Sequence, residues 1–465
     1  MRLYDTARKR VVPLEVGPLV TLYSCGITPY DSAHLGHAQV YLTFDILQRR
    51  LRDLGHETRC VRNVTDVDDD ILRKARELGV HFLDLAAEEI SRFDSDMGAL
   101  GLIPAWSEPR ATSAIAEILT LIGSVLDSGH AYRAGGAVYF DVTTFPEFGA
   151  VSHFDAATML AMAAEHGGNP DDPNKRHPLD FVLWQSSMPD EPSWESRWGP
   201  GRPGWHIECS ALALRELGET VDVHGGGRDL VFPHHECETA QSESVTGRPF
   251  VRHWLHVGLV GLDGTKMSKS LGNFTSLTDL LTRCDERAYR LLVLRAHYRS
   301  PVEVTAPTLA DAEKALERLD GLARRFGIGD LLAEGRGYVV EDVDAADADP
   351  EALAAFHARM DDDMDTPGAL AGVFELVTAA NSAAAAGDDG RARGLAGTAA
   401  VILAALGVPL RVGQAEVDAA SAQLVAERDE ARAAKDFARA DALRDELVAR
   451  GWTVEDTPNG TAIRR

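Results

Sequence analysis

Apolar and polar positions follow two rhythms in the first hundred residues. Leu19-Val20-Thr21-Leu22-Tyr23 is a short β-prone run that opens into a loop containing Gly26, Thr28 and Pro29. From Gln39 to Leu54 the period lengthens. Val40, Phe44, Ile46, Leu47 and Leu51 fall largely on one helical face, and Gly55 stops the pattern. Arg59 to Val64 reads as a second strand. Such a strand–helix–strand is the unit of a parallel, doubly wound sheet. The rhythm returns with Thr220 to Val223, ahead of Gly225-Gly226-Gly227, and with Phe250 to Val260.

Between these halves, about Gly129 to Pro203 breaks the pattern. Ala137-Val138-Tyr139-Phe140 is hairpin-like, and a loop rich in Pro, Asp and Trp follows, so the segment reads as an insertion into the α/β part. After Thr305 the composition shifts to Ala, Leu, Asp, Glu and Arg as far as about Leu410, with Pro367 at the start of one helix. That pattern predicts a helical bundle. The last block pairs a predicted helix over about Glu416 to Arg450 with a β-prone end, Trp452-Thr453-Val454.

Length and charge narrow the classes. A chain of 465 residues, 45% hydrophobic and 26% charged, is ordinary globular material of two to four domains. Its formal charge of −25 argues against a generic polyanion binder but leaves room for a local basic track. The tail from Ser421 holds eight basic and nine acidic residues, so it is near neutral while the rest carries the charge. Five cysteines make no disulfide framework and suit a reducing compartment. Met1 to Leu14 lacks the apolar run of a signal peptide, and no 18-residue apolar stretch is expected. The expectation is a cytoplasmic protein with no membrane partner.

Three constellations carry candidate chemistry. His34-Leu35-Gly36-His37 sits where a loop meets a helix N-terminus, where two histidines can hold a triphosphate against the helix dipole. The same residues also suit an ordinary polar helix entry. Lys266-Met267-Ser268-Lys269-Ser270, between Gly264 and Gly272, can neutralise phosphate and close as a lid, or can be a solvated basic turn. Together the two motifs point to nucleotidyl transfer on ATP. The third constellation is Cys25, Cys209, His234 and Glu238. Two thiols, an imidazole and a carboxylate suit zinc, while buried structural cysteines fit the spacing equally well.

His-Leu-Gly-His with Lys-Met-Ser-Lys-Ser resembles the signature pair of class I aminoacyl-tRNA synthetases. Asn63 to Asp69, Gly204 to Ser210, His224 to Leu230, Phe232 to Glu236 and Asp361 to Pro367 resemble the cysteinyl-tRNA synthetase family, as does Glu455 to Thr461 with Arg464-Arg465. The resemblance covers nearly the whole chain. It implies an α/β fold: a Rossmann-type doubly wound parallel sheet with an insertion, followed by an α-helical bundle and a small C-terminal domain. The expected division is a catalytic domain over 1–304 with its insertion at about 129–203, a bundle on the tRNA-stem side over 305–411, and an anticodon-binding domain over 412–465.

The resemblance also implies roles. Cys25, Cys209, His234 and Glu238 would hold one zinc ion that binds the substrate's sulfur, which separates cysteine from serine. Cys237, Cys60 and Cys284 are expected to be structural. Thr28, Thr65, Trp205 and Asp229 fall on positions that line the amino-acid pocket; helix capping is the alternative for Asp229, and simple packing for Trp205. ATP with Mg2+ would be held by His34, Gly36, His37, Lys266, Ser268 and Lys269, of which His34, His37, Lys266 and Lys269 are the catalytic set. L-cysteine, ATP and tRNA(Cys) are the implied partners of a monomer. Arg428, Arg432, Lys435, Arg439 and Arg444 would contact the anticodon along one helix, with Trp452 stacking on a base. Nearby Asp429, Glu430, Asp436 and Asp445 make a solvated, salt-bridged helix the alternative.

Some segments depart from that family. Cys25-Gly26-Ile27-Thr28-Pro29-Tyr30-Asp31, Asp70, and Glu165 to Pro170 look more like the related mycothiol-pathway ligase, which joins cysteine to an amino-sugar inositol. Glu238 and the long tail favour tRNA as the acceptor. An inactive tRNA- or nucleotide-binding relative should have lost a signature or zinc-site residue, and none is lost.

Overall fold

The computed structural model describes residues 1–261, 276–328, 348–411, 419–434, 436–450, 452–457 and 460–464. Its centre is a four-stranded parallel sheet ordered Val251–Val257, Val221–Gly227, Leu19–Ile27, Glu57–Val64. Leu19–Ile27 is buried along nearly its whole length, as expected for a parallel strand covered on both faces. The strand Val221–Gly227 runs through the glycine triplet, where the apolar run alone ends at Val223. Close packing explains the glycines: a Cβ on Gly225 would lie 1.6 Å from the Leu255 carbonyl oxygen on the adjacent strand.

The following helix spans Leu35–Asp53, four residues earlier than its apolar period begins. His34 supplies the missing start, because its side chain caps the His37 amide. This helix is not one-faced either. Gln39, Asp45, Arg49 and Arg50 are buried along with the apolar positions. The charged ones are paired: Asp45 accepts from Arg49 at 2.8 Å and from Arg290 at 2.7 Å.

The insertion forms an antiparallel sheet ordered Ala131–Ala134, Ala137–Phe140, Phe181–Gln185, Arg202–Pro203. Helices Ala306–Phe326, Pro350–Asp361, Thr366–Ala385 and Asp389–Ala405 make the bundle. One apolar core runs from Leu22 and Leu42 of the α/β part to Leu319, Val373 and Leu403 of the bundle. Contrary to the expectation of no long apolar stretch, Thr366–Ala385 is long and apolar enough to cross a membrane. Its Ala369, Leu370, Val373, Leu376, Val377 and Ala380 form the buried stripe of a core helix.

The tail differs from the single helix its composition predicts. Ala419–Ala433 and Phe437–Ala449 are separate helices, the second started by Asp436, whose side chain accepts from the Arg439 amide at 3.1 Å. They pack with the hairpin Thr453–Thr457 and Gly460–Arg464 around a small core of Leu424, Leu443, Leu447, Trp452 and Val454. Trp452 is therefore not a stacking platform. It is buried, and its indole N–H donates to Ser421 Oγ at 2.8 Å. Arg428 is buried too and donates to Thr461 Oγ1 at 2.5 Å. Arg439 pairs with Glu427 at 3.1 Å, and Lys435 lies outside the described residues.

Candidate active site and metal centre

The sheet order creates a switch point. From Leu19–Ile27 the chain crosses to Glu57–Val64 on one side, while Val221–Gly227 flanks it on the other. Ligands of such folds bind in the crevice beyond the strands' carboxyl ends at this place. Tyr23 pairs with His224 and Ser24 with Gly225, and on the opposite side the ladder with Glu57–Val64 slips out of register between Ser24 and Ile27. That irregularity carries Cys25. Beside it, Gly26 donates its N–H to Asn63 Oδ1 at 2.8 Å, and a Cβ there would lie 1.4 Å from the Asn63 carbonyl oxygen.

Two helices bring the remaining donors. Cys209 lies on Trp205–Leu217 and receives the Asn63 side-chain amide at 3.2 Å. His234 and Glu238 share a face of His234–Thr246, with His234 Nε2 and Glu238 Oε1 3.0 Å apart. Cys25, Cys209, His234 and Glu238 are all buried, and their donor atoms lie within 4.8 Å of one another. This donor set fits a tetrahedral zinc ion. Cys237 is buried in the same apolar core as Cys25 and Cys209 but belongs to neither group of converging donors, and Cys60 and Cys284 pack against the other core.

Sequence reasoning missed the surrounding imidazoles. His224 Nε2 faces Glu238 Oε2 at 3.1 Å, so each oxygen of that carboxylate has an imidazole at hydrogen-bond distance. His235 Nε2 lies 3.3 Å from Cys25 Sγ and joins His224, Cys25 and Glu238 in an overlapping second donor quartet. Behind it, His235 Nδ1 meets His256 at 2.7 Å, and His206 meets His234 Nδ1 at 2.9 Å. A signal was present: six of the 16 histidines fall between His206 and His256.

The charges are mutually set. Burial alone would raise the Glu238 carboxyl, yet His224 and His234 pull it down to about 2. Burial opposes the charge on His234, but Cys209 and Glu238 push its imidazolium up to about 10. The Cys25 thiol's hydrogen bond lowers Cys209 to about 6 against burial, while burial drives Cys25 itself well up. Cys209 and Glu238 are thus the two groups whose charged forms their neighbours favour. Binding a metal would expel the protons on Cys25 and His234.

One of the predicted substrate residues lies directly against this cluster. Trp205 stacks on His234 with ring centroids 4.4 Å apart. Thr28 and Thr65 join hydroxyls at 2.7 Å, and Thr28 donates to Asp68, whose carboxyl burial raises to about 6. Asp229 lies exposed in the short 3-10 helix Arg228–Val231 and is not its cap; that position is Gly227. At the other edge, the rings of His34 and His37 stack 3.7 Å apart. Gly36 leaves room for them, since a Cβ would come within 3.0 Å of the His34 ring. Burial, then the neighbouring His34, lowers His37 well below the usual imidazole range, so it is a neutral hydrogen-bonding group at pH 7. Lys266, Ser268 and Lys269 lie outside the described residues.

Residues 12–314 match the tRNA synthetases class I (C) catalytic domain model, residues 355–411 the DALR domain, and residues 414–464 the cysteinyl-tRNA ligase anticodon binding domain. A cysteine–tRNA ligase of Symbiobacterium thermophilum is 44% identical over 100% of this chain and 99% of its own. The chain belongs to the cysteine–tRNA ligase family. Another member, from Geobacter metallireducens, is 41% identical over 99% of both chains. The class I synthetase fold also appears in Mycobacterium tuberculosis methionyl-tRNA synthetase in complex with methionyl-adenylate. That structure has a TM-score of 0.58 and 18% identity, covering 83% of this chain and 90% of its own. These cysteine–tRNA ligase relatives align through the tail, which an amino-sugar acceptor would leave without a use.

Proposed function

We propose that the chain activates L-cysteine with ATP to cysteinyl-adenylate and transfers it to the 3′ end of tRNA(Cys), with zinc selecting the substrate thiol. The observation that carries this reading is the convergence of Cys25, Cys209, His234 and Glu238 at the switch point of a cysteine–tRNA ligase chain. Zinc, when bound, favours a thiolate over a hydroxyl, so serine is rejected without a separate editing site. The four side chains hold the ion, and Trp205, stacked on His234, walls the pocket beside them. Asp229 takes the substrate ammonium, and the Thr28–Thr65 pair orders the pocket's polar edge.

The substrate carboxylate attacks the α-phosphorus of ATP, and pyrophosphate leaves with its bonding electrons. No protein nucleophile is needed; positioning and charge stabilisation do the work. His34 and His37 meet the phosphates at a helix N-terminus whose first turn carries no acidic residue. As a neutral imidazole, His37 acts there by hydrogen bonding. The matching signature motif assigns Lys266, Ser268 and Lys269, with Mg2+, to the departing pyrophosphate.

The tail reads the anticodon. With Trp452 buried, the exposed aromatic there is Phe437, two residues before Arg439, and it takes over the stacking role. The test is ATP-dependent attachment of labelled cysteine to tRNA(Cys), with the amino-sugar inositol as parallel acceptor. Charging of the tRNA alone is expected; transfer to the sugar alone would overturn the assignment.

A further inference from the structure

The helix His234–Thr246 carries two of the four donors, yet no side chain caps its N-terminus, where Pro233 occupies the cap position. Its anchor comes from the insertion. Glu236, fully buried on the first turn, turns its carboxylate toward residues 149–152. Its Oε1 accepts the Gly149 N–H at 2.7 Å and the Val151 N–H at 3.4 Å, while Oε2 accepts the Ser152 N–H at 2.8 Å. The loop is curled around the carboxylate. Gly149 has φ +105° and His153 φ +55°, and the amides between converge as an anion nest.

The same loop grips the chain just before the helix. Phe232 meets Phe148 and Phe154 edge-on, with ring centroids 6.2 and 6.3 Å away. The two grips bracket His234. Residues two apart on a helix point about 200° from one another, so Glu236 faces away from both His234 and Glu238. Holding Glu236 therefore fixes the helix's rotation about its own axis, and that rotation presents His234 and Glu238 to the two cysteines.

We propose that Glu236 is a positioning residue: clasped by the insertion's backbone amides, it sets the rotation of the donor helix and so the geometry of the metal centre. The insertion thereby becomes part of the thiol-selecting apparatus. This proposal rests on the zinc reading given above, and its test separates the two.

Zinc dissociation from the full chain is measured by competition with a chromophoric chelator. Hydrogen exchange of residues 146–155 and 233–241 is measured on metal-free protein. Glu236→Ala should weaken zinc binding about 10- to 100-fold, the range for groups that orient metal ligands. It should also speed exchange in both segments together. Glu236→Gln keeps the shape and one acceptor oxygen but turns an amide N–H toward a backbone donor, so it should recover only part of the affinity. Gly149→Ala perturbs the loop from outside the donor helix, because alanine is strained at the φ of +105° that Gly149 adopts, and it should move both readouts the same way. It serves as the test if Glu236→Ala does not fold. Zinc binding within twofold of wild type in the alanine variants, or unchanged exchange over 233–241, overturns the proposal. If wild-type protein takes up no zinc, the metal reading falls, while the exchange comparison still decides whether Glu236 orders the helix.

Discussion

Arg290 offers a sharp test of how the catalytic part and the bundle are joined. It lies on helix Glu286–Leu294, among the largest fully buried side chains, and donates to four groups on three separate segments. These are Asp45 Oδ2 at 2.7 Å, the Leu100 carbonyl at 3.1 Å, the Gly101 carbonyl at 3.1 Å and the Leu406 carbonyl at 3.2 Å. Gly407 completes the fit, since a Cβ there would lie 2.3 Å from Arg290 Nη1. Arg290→Met keeps most of the side-chain length and removes every one of these donors. Asp45 retains Arg49 and the Ile103 amide, and Gly101 retains Arg49, but the Leu100 and Leu406 carbonyls each lose a charged donor. Two buried carbonyls left short of a donor cost about 1–3 kcal/mol each, and the weakened Asp45 pairing adds to that, for about 3–5 kcal/mol together. With a urea slope of roughly 3 kcal/mol/M, the unfolding midpoint should fall by about 1 M or more.

The same pair sets a pH dependence. Burial alone would raise the Asp45 carboxyl, but Arg290 and Arg49 lower it below its ordinary range. A depressed carboxyl stabilises the fold above its unfolded pKa of about 3.9 and loses that contribution as pH falls through the folded value. The variant should lose less stability than wild type across that acid window. Urea titrations followed by tryptophan fluorescence at pH 7 and pH 3.5 measure both effects. A midpoint shift under 0.2 M at pH 7 would refute the view that this arginine ties the parts together.

Other expectations concern the site and the tail. Cys209→Ser should leave metal content, read by elemental analysis, near zero per chain; stoichiometric zinc in that variant would remove Cys209 from the donor set. Lys269→Ala should slow cysteine-dependent pyrophosphate exchange about 100- to 1,000-fold, the scale of losing one transition-state charge contact, with zinc content unchanged. A rate within threefold of wild type would end its assignment. Trp452→Ala empties the tail's small core at a cost of about 3–5 kcal/mol. It should abolish tRNA charging yet spare adenylate formation, and equal loss of both would make the tail a support for catalysis. Phe437→Ala should raise the KM for tRNA without moving the thermal midpoint; an unchanged KM would exclude stacking by that ring.

Local chemistry wrote much of this protein into its order of residues. The run Leu19–Tyr23, the helix beyond His34 and the strand ending at Val64 are legible because apolar periodicity reports which faces are buried. His34, Gly36 and His37 are legible as a motif because a helix start needs a cap and a close approach within three residues. The four donors were named through likeness to a family, since 213 positions separate Cys25 from Glu238 and no spacing rule spans that distance. Only the tertiary structure brought them within reach of one another, by placing Val221–Gly227 beside Leu19–Ile27 at the sheet's switch point. It also decided matters on which local pattern is silent. Trp452 went inside because Leu424, Leu443, Leu447 and Val454, brought together by two short helices and a hairpin, close around its ring. The imidazoles of His224 and His235 became partners of Glu238 and Cys25 through strand and helix packing. Periodicity records what each segment must bury, while long-range packing settles which segments bury it together.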